Sequence, residues 1–171
     1  MKRLFVPLHM TGAGFGSMGT PGSVDEPWQH RATPGDYVPI PPGPRSDNPP
    51  VLNSAGRVHC TLADWAKFVQ MHLAGEQGTD GLLRASTIKY MHRPKAGESY
   101  AFGWMVTERP WAGGTALTHA GSNTMNFCVV WMAPKRDFAV LVVTNAGGDE
   151  AAAACDEAAS ALIISRVSQA H

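Results

Sequence analysis

The chain has 171 residues, and its 14 Lys and Arg balance its 14 Asp and Glu to a formal net charge of zero. Nothing in this balance suggests a nucleic-acid or acidic-membrane partner, since such partners call for a basic patch, and no apolar run approaches the ~20 residues of a membrane span. The length allows one domain with a real core.

In chain order, residues 1–53 read as an irregular Gly- and Pro-rich segment. Its one helical hint, Lys2 to Val6, stops at Pro7 and is too short for a convincing signal peptide. Residues 12–50 show little apolar periodicity, but Trp28, Tyr37, Val38 and Ile40 point to a loop laid over a core with aromatic anchors. From residue 54 the pattern becomes regular. Thr61-Leu-Ala-Asp64 is a capping-box variant that opens a helix. Leu62, Trp65, Phe68, Val69 and His72-Leu73 follow at helical spacing, and Gly75 is expected to end it. A short helix is predicted over Ala85 to Met91, a strand over Tyr100 to Thr107, and a hairpin turn at Gly113-Gly114.

Then comes the stretch from Leu117 to Asn145, read as strand, turn, strand, a tight turn at Pro134 to Asp137, and a last strand. That last strand, Phe138 to Thr144, is apolar enough to be buried on both faces. A closing helix is predicted over 149–167 with Asp149 as its N-cap, packed on the sheet through its alanines. The order gives an α+β class: an antiparallel sheet, about three strands of it in this chain, with a C-terminal helix and peripheral helices. Cys60, Cys128 and Cys155 have no paired spacing and read as free and packed, not as a zinc site. His59 and His72 do not make a metal-ligand pair.

Five segments, in order, resemble the carboxy-terminal part of the serine β-lactamase-like hydrolases (class C β-lactamases, DD-peptidases and related esterases). Pro7-Leu-His-Met-Thr11 resembles that family's Pro-Leu-Gly-Met-Thr turn, with His9 in place of Gly. Ser54-Ala-Gly-Arg-Val-His-Cys-Thr61 with Asp64 and Phe68 resembles its Ala-Gly-Gly segment and following helix. Tyr100-Ala-Phe-Gly-Trp104 resembles its Tyr-Gly-x-Gly-Trp strand. His119-Ala-Gly121 resembles its Lys/His-x-Gly triplet, and Asp137 to Asn145 its hairpin strand ending in Thr-Asn.

The resemblance implies an acyl-serine hydrolase of small esters, amides or β-lactams, with no cofactor and no metal. It also implies roles on one strand: His119 to hold a substrate carboxylate or assist proton transfer, Gly121 for close approach, and the Ser122 N–H as one of two oxyanion donors. Ala120 and Asn123 are expected on the substrate side. Asn123 and Asn126 read equally well as turn and strand-edge groups. The family's Ser-x-x-Lys nucleophile and Tyr-x-Asn loop belong upstream of Pro7, so the chain reads as an incomplete domain, inactive alone. Exposed core surface would then favour self-association. Its compartment, periplasmic or cytoplasmic, is left open.

Two motifs match by letter but in reversed order. Ser86-Thr-Ile-Lys89 fits Ser-x-x-Lys, yet Ser86 reads better as a helix N-cap. Ser46-Asp-Asn48 fits Ser-x-Asn, yet Ser46-Asp-Asn-Pro-Pro is ordinary turn chemistry. The competing function is a non-catalytic domain that binds a ligand or partner beside His119.

Overall fold

A computed structural model describes residues 1–169. Its centre is a five-stranded antiparallel meander, β5 (Tyr100–Ala101), β6 (Trp104–Arg109), β7 (Gly114–Ser122), β8 (Phe127–Ala133) and β9 (Phe138–Thr144), in that spatial order. Before it come β1 (Gly14–Phe15), the hairpin β2 (Gln29–Thr33) and β3 (Asp36–Ile40), helix α1 (Asn53–Gly56) and β4 (Val58–His59), which pairs with β1. Helices α2 (Leu62–Glu76), α3 (Ala85–Met91) and α4 (Asp149–Ser168) complete the fold.

The sheet has more strands than expected because the run Tyr100 to Thr107 folds back on itself. Phe102 (φ 47°) and Gly103 (φ 95°) both take left-handed backbone, so the segment becomes the tight β5–β6 hairpin. The other turns follow their residues. Gly113 and Gly114 carry the β6–β7 turn at φ 73° and 139°, and Asp137 closes the β8–β9 turn at φ 51°.

Strand alternation sends side chains to two helical layers. On one face Leu117, Val130 and Met132 pack with Trp104 against Val69 and Leu73 of α2. On the other, Val129 and Val140 pack against Cys155, Ala159 and Ile163 of α4, with Trp131, Phe138 and Val142 alongside. Leu117 and Met132 are essentially inaccessible, and burial of such a side chain stabilises by roughly 1.5–3 kcal/mol. β9 is covered on both faces but it is the edge of the sheet, so its side chains are mostly half-buried and Val143 is exposed.

Several local expectations are corrected. Lys2 to Val6 forms a string of turns that ends in Met10 N–H donating to the Phe5 carbonyl at 2.8 Å, not a helix. The supposedly irregular stretch contains the β2–β3 hairpin around Pro34-Gly35, hidden in the sequence by its polar composition and by Pro39. Tyr37 is half-buried and its hydroxyl donates to Glu150 at 3.4 Å, whereas Val38, also expected as an anchor, is exposed. Asp149 is the first helical residue of α4, and Gly148 (φ 92°) is the cap; Asp149 and Glu150 instead complement the helix dipole from the first turn. Ser86 is the second residue of α3, which Arg84 precedes as N-cap, and the Ala85 N–H is satisfied by Asp80 Oδ1 at 2.8 Å. Thr61 does cap α2, accepting from the Asp64 N–H at 3.1 Å.

Gly75 lies inside α2 rather than ending it. A Cβ there would sit 2.6 Å from Ile88 Cβ on α3, so the two helices meet at the missing side chain. Alanine is the better helix former by ~1 kcal/mol, but overpacking of this kind costs typically 1–3 kcal/mol. Gly75→Ala is therefore expected to lower stability by up to about 2 kcal/mol net, read as a lower urea midpoint with an unchanged slope. A gain in stability would show that α3 moves aside freely.

Candidate active site

β6 covers only part of β7. The ladder runs from Arg109↔Gly114 to Met105↔Thr118 and stops at the Phe102-Gly103 turn. β8 continues on the other side as far as Ser122↔Phe127. His119, Ala120, Gly121 and Ser122 thus have one edge that no strand pairs among the described residues. The burial follows: Ala116, Leu117 and Thr118 are buried, while His119, Ala120 and Ser122 are exposed and Gly121 half-buried. The strand is anchored up to that point by Thr118, whose Oγ1 donates to the Val130 carbonyl at 2.7 Å. What remains is a rigid strand end with its backbone donors and acceptors available to a bound molecule.

The side chains divide between open and engaged. His119 makes no side-chain hydrogen bond among the described residues, and alternation puts it on the α2 face with Leu117. Ser122 Oγ donates to the Asn126 carbonyl at 2.7 Å and accepts from the Thr124 N–H at 2.9 Å, which shapes the β7–β8 turn. Asn123 is the hub of that turn. Its Oδ1 accepts from the N–H groups of Met125 (3.1 Å) and Asn126 (2.9 Å) and from Asn126 Nδ2 (3.2 Å). Its Nδ2 donates to Gln29 Oε1 and to Asp47 Oδ1, both at 3.1 Å.

Behind the strand end lies a polar layer that sequence reading missed. Gln29, buried, accepts from Asn123 and from Asn126 (2.9 Å) and donates to the Ser46 carbonyl. Asp47 faces Arg57 at 3.7 Å, and Arg57 donates to Asn53 at 2.7 Å. β2 is also stitched to the sheet through its backbone. The His30 N–H donates to the carbonyls of Met125 (3.1 Å) and Asn145 (2.7 Å), and the Gly147 N–H returns a bond to the His30 carbonyl at 3.1 Å. Asn145 Nδ2 donates to the Trp28 carbonyl at 2.8 Å. The bonds that reach Asn123, Asn126, Met125, Asn145 and Gly147 join partners 76–117 positions apart, so no local motif announces them.

Of the two letter matches, Ser86-Lys89 stands apart from β7, while Ser46-Asp-Asn48 reaches its end only through Asp47 and the Ser46 carbonyl. Ser86 and Lys89 lie on the exposed side of α3, whose buried residues are Ala85 and Ile88, and among the described residues they make no side-chain hydrogen bond. Ser46 is buried, its Oγ bonded to both the N–H and the carbonyl of Gly43 at 2.8 Å. Asn48 donates to the Gly56 carbonyl at 2.9 Å. Both side chains of Ser46-Asp-Asn48 are therefore spent on turns. The cysteines are unpaired thiols: burial, with Asp64 and Cys128 nearby, pushes Cys60 up to about 11, and burial also raises Cys128 and Cys155. A thiol so raised is a poor nucleophile. Among the described residues no group of His, Cys, Asp and Glu is arranged to hold a metal, and no helix is long and apolar enough to cross a membrane.

Comparison with known proteins bears on the fold and the family. The octameric penicillin-binding protein homologue from Pyrococcus abyssi is similar in fold at a TM-score of 0.63 and 20% identity, over 85% of this chain and 32% of that one. A solved structure of a protein called SurE is similar at 0.68 and 17% identity, over 98% of this chain and 38% of that one. The chain thus spans about a third of the length of these neighbours. Among curated proteins nothing matches. A sequence model of the family described as Beta-lactamase matches residues 1–163, nearly the whole chain, and this places the chain in the beta-lactamase family.

Proposed function

We propose that this chain carries the strand-edge half of a serine hydrolase site. The observation that carries the reading is the uncovered backbone of β7 beyond Thr118, rigidly anchored on one side and free on the other. An ester, amide or β-lactam would lie along that edge. The Ser122 N–H would point at the carbonyl oxygen as one oxyanion donor, and Gly121 would allow the substrate close to the backbone. His119 would hold the substrate carboxylate or assist proton transfer. Ala120 would line the contact, and Asn123 would fix the turn that aims Ser122. The nucleophile and the second oxyanion donor would come from a Ser-x-x-Lys segment outside residues 1–171, on a longer polypeptide or on another chain. One donor without the nucleophile stabilises little, so residues 1–171 alone should bind and not turn over.

The reading in which the chain only binds draws on the placement of Ser86 and Lys89, which sit on α3 and engage nothing on β7. Two measurements on the purified chain test what both readings require of it. Fluorophosphonate labelling followed by peptide mapping is expected to give no adduct; an adduct on Ser86 would sink the account of an external nucleophile. Titration with a cephalosporin, followed by amide NMR, is expected to move the resonances of residues 119–122 at millimolar ligand. Shifts confined to other elements would remove the β7 edge from the site.

A further inference from the structure

A second group of titratable side chains lies in the core between α2, α3 and β6. Glu76 Oε1 is 2.6 Å from His92 Nδ1, and His92 Nε2 is 2.9 Å from His72 Nδ1. His72 is 1% exposed and His92 7%. The imidazoles are stacked at 5.0 Å, and Trp104 lies edge-on to both, at 5.2 and 5.6 Å. Phe68 closes the other side of His72 at 4.6 Å. The charged groups that face the pair are Glu76 from α2 and, through Glu76, Lys89 from α3; β6 contributes only the Trp104 ring.

The distances dictate where the protons sit. A carboxylate only accepts, so His92 must donate through Nδ1. Neutral His92 then has a bare Nε2, which accepts from His72 Nδ1–H. Neutral His72 is left with a bare Nε2, and that atom is buried with no partner among the described residues. A further proton has no good place. On His72 Nε2 it makes a buried cation whose N–H meets no acceptor. On His92 Nε2 it forces His72 to shift its own proton to Nε2, with the same result. An unmet buried donor, and still more a buried charge, costs the folded arrangement heavily. Burial first, and His92 second, accordingly hold His72 down to about 4, while the bond from His92 lowers Glu76.

We propose that Glu76, His92 and His72 form an acid-sensitive latch: in the neutral state it ties α3 and Trp104 to α2, and an added proton releases them. The consequence reaches the β7 edge. Tyr90 of α3 packs on Phe102 at 5.5 Å, and Phe102 and Gly103 form the turn at which β6 stops covering β7. Trp104 directly precedes Met105, the partner of Thr118. Release of α3 thus loosens the flank of the His119 to Ser122 edge. The latch stands whether or not that edge binds a substrate.

The sign follows from linkage. A histidine held below its ordinary value of 6.5 keeps its stabilising neutral arrangement above that value and loses it as the pH falls toward 4. Hydrogen-exchange protection factors for the α3 amides, residues 85–92, should therefore drop roughly 30-fold between pH 7.5 and pH 5, with β8 amides changing far less. In His72→Leu the drop should vanish. Nitrogen-15 NMR of the imidazoles in the unaltered chain, which needs no variant, should show both rings neutral at pH 7.5 with the proton on Nδ1. A pH-independent protection factor in α3, an equal loss in β8, or a His72 that titrates near 6.5 would each overturn the latch.

Discussion

Gly147→Ala is expected to destabilise the fold by more than about 3 kcal/mol, the largest effect of any single methyl added to this chain. A Cβ at Gly147 would lie 1.9 Å from the Thr124 carbonyl oxygen and 2.8 Å from the Met125 nitrogen. Both obstacles are backbone, so no rotamer change relieves them. The loop after β9 would have to withdraw from the β7–β8 turn. That would break the Gly147-to-His30 bond and tilt the turn that sets Ser122. Gly43→Ala is the control: nothing lies within 4 Å of its Cβ position, and a surface change of this kind stays within about 0.5 kcal/mol. Denaturant midpoints of the two variants give the comparison. Equal midpoints would mean that the 124–147 contact carries no weight.

The second large effect is expected from Asn123→Asp, and it should depend on pH. The substitution replaces the Nδ2 donor by an oxygen opposite Asp47 Oδ1 and Gln29 Oε1, both 3.1 Å away. At pH 7 two carboxylates would meet at hydrogen-bond distance, and Gln29 would face an acceptor. A loss of about 3 kcal/mol or more is expected there. As the pH falls, the pair can share one proton and regain a hydrogen bond. That proton is bound more tightly in the folded state than in the unfolded one. The stability it confers is therefore present at low pH and lost as the pH rises. The variant should thus be closer to the unaltered chain at pH 4.5 than at pH 7. This sign is opposite to that of the histidine latch, so thermal melts at the two pH values, with His72→Leu in the background, separate the two devices. A deficit that does not change with pH would mean that the side chain turns out to solvent and the hub is dispensable.

How much of this could be read in the sequence depends on distance along the chain. Thr61 capping α2, the two turns at Gly113 and Asp137, and the apolar alternation of β7 to β9 are local signals, and they gave the fold class and the strand bearing His119. The β5–β6 hairpin is not announced because Phe102, a residue with no preference for left-handed backbone, takes φ 47°. Gly75 looked like a helix stop and is a helix crossing, a distinction that depends on Ile88, thirteen residues on. The open edge of β7 was not legible at all, since it depends on where β6 ends. Gln29 and Asp47 gave no signal either: a lone Gln in a polar stretch looks like any surface residue until Asn123 is set beside it. His72 reads in the sequence only as one position of the α2 pattern, because it meets His92 only when α3 folds back on α2.

The stitching of β2 to the β7–β8 turn also bears on how the molecule assembles. The ladders from β6 to β9 join strands that are sequential neighbours, so they close short loops. The bonds from Gln29 and His30 to Asn123, Asn126 and Asn145 close loops of about a hundred residues, and long loops must spend more chain entropy before any contact rewards them. The meander is therefore expected to consolidate first, and the turn that aims Ser122 last. The part of the chain nearest the proposed site would be the final piece to acquire its native geometry in folding and the first to lose it when the fold is strained.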